Sequence, residues 1–113
     1  MKNDKILSGS TAMLVLSLLE NGDKYGYQMI SELEIRSDHT FTLKEGTLYP
    51  ILHGLVKDGA VESYEKPSES GRMRKYYHIT RKGLLVLNEK REEWQEFSDA
   101  VNKVIGGAAH ALA

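Results

Sequence analysis

None of the 113 residues is cysteine. That absence excludes disulfide cross-links, thiolate metal ligands and a cysteine nucleophile, and it suits a reducing compartment. Proline occurs only twice, once inside a helical pattern (Pro50) and once in a turn segment (Pro67). No long hydrophobic run is present: the apolar stretch Ala12 to Leu19 falls far short of the ~20 residues a bilayer requires. Lys2 and Lys5 precede it, but no small-residue cleavage site follows, so it reads as a buried helix and the protein as cytoplasmic. The four histidines (His39, His53, His78, His110) show no metal-ligand spacing. Neither a nucleophile motif nor a phosphate-binding glycine loop appears, so no catalytic residue, metal or cofactor is expected and the chain does not read as an enzyme.

At 12.7 kDa the chain fits one compact domain, small enough that a partner subunit would help bury its apolar surface. The net charge of −1 does not announce a nucleic-acid binder; its distribution says more. Between Lys66 and Lys82 lie Lys66, Arg72, Arg74, Lys75, Arg81 and Lys82 against a single acid, Glu69. Such a local excess on an otherwise acidic chain is an electrostatic footprint, or else a solvated hairpin.

Ser10 to Glu20 reads as a first helix, capped by Ser8 or Ser10 and stopped at Asn21-Gly22. Its apolar residues cover nearly the whole circumference, which predicts a core on one side and a second subunit on the other. Asp23 is placed to cap a second helix, Tyr25 to about Arg36, with Tyr27, Ile30 and Leu33 inward. Thr42 and Glu45 have capping-box spacing for a third helix ending at Asp58-Gly59, with Leu48, Leu52 and Leu55 as its core stripe. Pro50, inside that helix, is expected to bend it or relax its first turn. Val61 to Lys66 and Arg74 to Thr80 flank a turn-rich segment and predict a hairpin, with Tyr77 and Ile79 on one face and Tyr76 and His78 on the other. Thr80 caps a last helix, Arg81 to Ile105, which carries Leu87, Trp94 and Val101 at heptad spacing.

The expected fold is therefore mainly α with a small β-hairpin: a winged helix-turn-helix over residues 1–80, a C-terminal dimerisation helix over 81–105 and a flexible tail over 106–113. In that architecture the third helix enters a major groove while the hairpin, or wing, reaches neighbouring phosphates. The candidate DNA-contacting residues are Tyr25 at the start of the second helix, Lys44, Thr47, Tyr49, His53 and Lys57 along the third, and Arg72, Arg74 and Lys75 on the wing. Tyr76, Tyr77 and Tyr27 read as packing residues.

Several stretches carry a resemblance. Tyr25-Gly26-Tyr27, Glu45-Gly46-Thr47-Leu48-Tyr49-Pro50-Ile51-Leu52, Lys57-Asp58-Gly59 and the wing segment Gly71-Arg72-Met73-Arg74-Lys75-Tyr76-Tyr77-His78-Ile79-Thr80, followed by Gly83, together resemble the PadR family of transcriptional regulators in its short form. The resemblance implies a homodimeric repressor of a palindromic double-stranded operator, joined through the Ser10–Glu20 and Arg81–Ile105 helices. It also implies a planar aromatic ligand between subunits, with Trp94 and Phe97 as the stacking residues; plain interface packing is the other reading of Trp94. Gly54 departs from the basic residue many relatives carry, which shifts the expected DNA affinity toward the wing. A winged-helix module that binds protein rather than DNA is the alternative, but it has little need for Arg72, Arg74 and Lys75 together.

Overall fold

The computed structural model describes the backbone over residues 4–106 and side chains from residue 10 onward. The order is α1 (Asp4–Leu19), β1 (Lys24–Tyr25), α2 (Gly26–Arg36), α3 (Glu45–Lys57), β2 (Val61–Pro67), β3 (Met73–Ile79) and α4 (Arg81–Ile105). The strands form one antiparallel sheet in the order β1-β3-β2. This is the expected winged helix-turn-helix with a long last helix. The two-residue β1, absent from the sequence reading, adds a third strand by pairing Lys24 with Tyr77 and Tyr25 with Tyr76.

The core is a single cluster to which every element except β1 contributes. Leu16 and Leu19 of α1, Met29 of α2, Leu48 and Leu52 of α3, Val61 and Tyr77 of the hairpin and Leu87 of α4 are fully buried. The inward stripe of α3 is the predicted Leu48, Leu52 and Leu55. In α2 Leu33 is buried and Ile30 packs against the core as expected, but Tyr27 does not. Gly26, Met29 and Leu33 face inward, whereas Tyr27 is 69% exposed. Gly26, beside the Tyr49 ring of α3, is buried in its place, and its neighbour Tyr27 points outward.

The helix ends show which local signals survive packing. α1 passes through Ser8 and Ser10, so neither is its cap. Its C-terminus is closed instead by Lys24, whose Nζ donates to the Leu18 carbonyl at 2.7 Å. Asp23 does not cap α2; the Gln28 carboxamide oxygen accepts from the Tyr25 backbone N–H at 3.1 Å. Thr42 does not cap α3 either, because Lys44 is the residue at that boundary and the Thr42 hydroxyl turns toward Glu34.

Other ends follow the sequence reading. α3 closes through Gly59 (φ 79°), with Gly59 N–H donating to the Val56 carbonyl and Ala60 N–H to that of Leu55. This paired arrangement needs a left-handed residue, which glycine adopts without strain. The Thr80 hydroxyl accepts from Gly83 N–H at 3.0 Å and donates to the Gly59 carbonyl at 2.7 Å. One side chain thus caps α4 and ties it to the end of α3. Gly106 is the last described residue, so the tail expected over 106–113 lies outside the described residues from 107 on. Among the described residues no helix is long and apolar enough to cross a membrane.

Candidate nucleic-acid interface

With its leucine stripe in the core, α3 turns Thr47, Pro50, His53, Gly54 and Lys57 to solvent, and Lys44 stands exposed at its start. Pro50 lies within the helix, which continues around it. The Lys44 carbonyl accepts from both Thr47 and Leu48 N–H groups, so the first turn is tightened rather than relaxed as the sequence suggested. Tyr49 is less free than the sequence suggested. Its ring lies over Gly26, where an added Cβ would meet the Tyr49 hydroxyl and approach Cζ to 2.9 Å. The Tyr-Gly-Tyr motif therefore has a packing reason: glycine leaves room for the Tyr49 ring against the start of α2.

Strand alternation divides the basic wing. Neighbouring residues of a strand point to opposite faces, so Arg74 and Lys75 cannot share one. Lys75 faces α3, and with His53, Val56, Lys57, Ser63 and Tyr77 it lines an open cleft of about 430 Å³. Arg74 lies on the far face, its guanidinium 4.3 Å from the centre of the Tyr25 ring. Lys66 sits at the same distance from Tyr76. Tyr25 and Tyr76 meet edge to face at 5.5 Å, and Tyr64 stacks on Tyr76 at 5.8 Å. Arg72 is exposed in the turn between the strands.

Asp23 anchors this outer face. Its two carboxylate oxygens accept from the Tyr64 hydroxyl at 2.6 Å and contact His78 Nδ1 at 2.7 Å. Burial pushes the Asp23 carboxyl up, but the Tyr64 and His78 hydrogen bonds and the charges of His78 and Lys66 outweigh it, so its pKa lies below the ordinary value. The same bond holds the Tyr64 phenol up. Burial pushes up the Tyr77 phenol, with a smaller contribution from Tyr49.

Trp94 and Phe97 lie apart from these surfaces, in the second half of α4. Their rings are 5.9 Å apart, and Phe97 is 61% and Val104 84% exposed.

The structure thus joins His53, Lys57 and Lys75 across one cleft, and Tyr25 and Arg74 in one stack on the opposite face. Lys44, Thr47 and Arg72 remain exposed without joining either group. Ser63 was missed by the sequence reading, and Lys66, counted in the basic segment, was not singled out as a contact residue. Cross-strand register would have found Lys66, which pairs with Arg74, but the register depends on the turn and was not resolved to a residue. No cluster of metal-ligating residues occurs among the described residues.

Comparison with known proteins points one way. Residues 15–89 match the profile of the Transcriptional regulator PadR-like family. The chain is 32% identical over 96 residues to Transcriptional regulator Rv3488 of Mycobacterium tuberculosis, covering 85% of this chain and 83% of that one. Among solved structures, a transcriptional regulator from Clostridium thermocellum superposes with a TM-score of 0.82 at 35% identity, covering 89% of this chain and 98% of that one. A PadR-like transcriptional regulator from Bacillus cereus gives 0.77 at 33% identity, with 89% and 96% covered.

Proposed function

The chain belongs to the PadR-like family of transcriptional regulators, and on that premise we propose that it is a sequence-specific, DNA-binding repressor acting in the cytoplasm as a homodimer. The observation that carries this reading is the cleft where His53 and Lys57 of α3 meet Lys75 of the wing. A helix seated in a major groove has phosphates on either flank, and cations on both walls of such a cleft follow the backbone between helix and wing.

In this reading residues 1–80 form the DNA-binding unit. Thr47, Tyr49 and His53 face base edges, while Lys44, Lys57, Arg72, Arg74 and Lys75 neutralise phosphates. Tyr25 joins the set through Arg74, as argued below. α4, over residues 81–105, supplies the dimer contact together with α1. The exposed apolar residues Trp94, Phe97, Val104 and Ile105 favour this, since a solvent-facing helix end of that composition needs a cover. A two-fold dimer matches a palindromic operator. A planar aromatic ligand held at Trp94 and Phe97 between the subunits would relieve repression by biasing the angle between them.

Fluorescence anisotropy with duplex DNA from upstream of this protein's own gene, in excess non-specific competitor and at two salt concentrations, tests the proposal. Tight, competitor-resistant and salt-sensitive binding is expected. Absence of binding at low salt would overturn it in favour of a winged-helix module that binds protein.

A further inference from the structure

Cross-strand partners in an antiparallel pair point to the same face, so the register Lys66↔Arg74 sets two cations side by side on the outer face of the wing. Like charges directly opposite each other destabilise a sheet. On the inner face the arrangement is the reverse, with Glu65 opposite Lys75. Among the described residues neither Lys66 nor Arg74 has an ion-pair partner; Asp23 feels the charge of Lys66, but its oxygens are committed to Tyr64 and His78. Instead each cation lies on its own aromatic face, Arg74 on Tyr25 and Lys66 on Tyr76, both at 4.3 Å.

The rings are themselves fixed. Tyr25 is the boundary residue of α2, with its N–H held by Gln28. Tyr76 is packed between Tyr25 and Tyr64, and Tyr64 is bonded to Asp23. Contact with a ring removes much of the rotamer freedom that an arginine or lysine would otherwise lose on binding, and both side chains remain exposed. Two exposed, unneutralised cations on adjacent strands, each held against a ring, match one acceptor with several oxygens and a negative charge.

We infer that Lys66 and Arg74 form one seat for a DNA phosphate, on the face of the wing turned away from α3, and that Tyr76 and Tyr25 are its positioning residues. This rests on the DNA-binding reading above and adds to it that the wing contacts the backbone from both faces. Tyr25 then acts on DNA through Arg74.

The test uses the full chain and a fluorescein-labelled, mixed-sequence duplex roughly three helical turns long, because a phosphate seat is indifferent to sequence. Affinity is measured over a salt series for the wild type, the double variant Lys66→Gln/Arg74→Gln, Lys75→Gln, Tyr25→Leu and Tyr25→Phe, each checked for an unchanged thermal melt. The double variant is expected to bind more weakly with a log–log salt slope shallower by about 0.9, the value for one phosphate. Tyr25→Leu is expected to bind roughly three- to tenfold more weakly with the slope kept, since the charge remains but its orientation is lost. Tyr25→Phe, which keeps the ring, restores wild-type affinity.

If Lys75→Gln weakens binding and the double variant does not, the seat is overturned and the DNA-binding reading stands. If the double variant weakens binding and Tyr25→Leu does not, the positioning role of the ring is overturned. A wild type that does not bind the duplex at low salt overturns the underlying reading.

Discussion

Arg91 reaches from α4 to Glu20, just past the end of α1, and holds it with two hydrogen bonds of 2.7 and 3.0 Å. The same guanidinium lies 3.4 Å from the Ser17 hydroxyl. Beyond this point α4 leaves the core: Leu87 is fully buried, whereas Trp94 and Phe97 are exposed. The pair therefore stands at the junction between the part of α4 that packs on its own domain and the part that does not. The fork geometry of arginine matches both carboxylate oxygens, and the bond from Arg91 draws the Glu20 carboxyl below its ordinary pKa.

Arg91→Lys should lower the unfolding free energy measured in urea modestly, by up to about 1 kcal/mol, because the pair is exposed and a single ammonium cannot span both oxygens. Repeating the denaturation at high salt should shrink the difference between the two proteins. A difference that persists at high salt would point to lost packing of the arginine stem instead of lost charge.

The Asp23 carboxylate gives stability a defined pH dependence. Its folded pKa lies below the ordinary value of 3.8, so its contribution is complete above that value and is lost as pH falls through the folded pKa. Asp23→Asn should cost about 1 kcal/mol near neutrality, discounted for partial exposure. The gap between wild type and variant should narrow progressively below pH 3.8, in denaturant melts taken across the acid range.

Two glycines with opposite surroundings should respond oppositely to alanine. At Gly83 an added Cβ would strike the Ala60 carbonyl oxygen and come within 2.7 Å of Ile79 Cγ1, at the seam where α4 meets the start of β2. Because the carbonyl is backbone, Gly83→Ala should cost about 2–3 kcal/mol. At Gly54 nothing lies within 4 Å of the added atom, and the position is exposed in mid-helix. Gly54→Ala should therefore stabilise by about 0.5–1 kcal/mol in a thermal melt. Gly54→Lys should gain DNA affinity as well, because it places a cation between His53 and Lys57.

Trp94 is the sole tryptophan, so its fluorescence reports its own surroundings. Quenching by a planar cationic dye such as proflavine, without DNA present, is expected if the ligand reading of Trp94 and Phe97 holds. Trp94→Ala should lower the dimer fraction in sedimentation velocity by removing a large aromatic contact. Unchanged sedimentation together with absent quenching in the wild type would remove Trp94 from both roles.

The hairpin was legible because its signals are local: turn residues between two alternating runs, with Tyr77 and Ile79 on one face as read. So were the end of α3 at Gly59 and the cap of α4 at Thr80. Tyr27 was not legible, since its i, i+3 pattern with Ile30 and Leu33 competes with the true stripe of Gly26, Met29 and Leu33. Glycine carries no hydrophobic signal, and the contact that turns it inward is with Tyr49, on another helix. β1 has no sequence signature at two residues and exists only because β3 offers it an edge. The candidate site was legible as a list of cations and only half legible as a surface.

What the sequence determined by itself was the order of the elements other than β1, most of their boundaries and the identity of the basic residues. Each of these rests on interactions spanning a few positions: helical period, turn chemistry, a hydroxyl at a helix start. Tertiary structure decided where those residues act. Alternation along β3 sent Lys75 toward His53 and Lys57 and sent Arg74 to Tyr25. Folding gave Asp23 the partners Tyr64 and His78, 41 and 55 residues away, in place of the helix cap its sequence position suggested. A carboxylate next to a helix start can satisfy backbone N–H groups or distant side chains equally well by local rules, and only the packing of β1 against the wing brings the distant donors within reach.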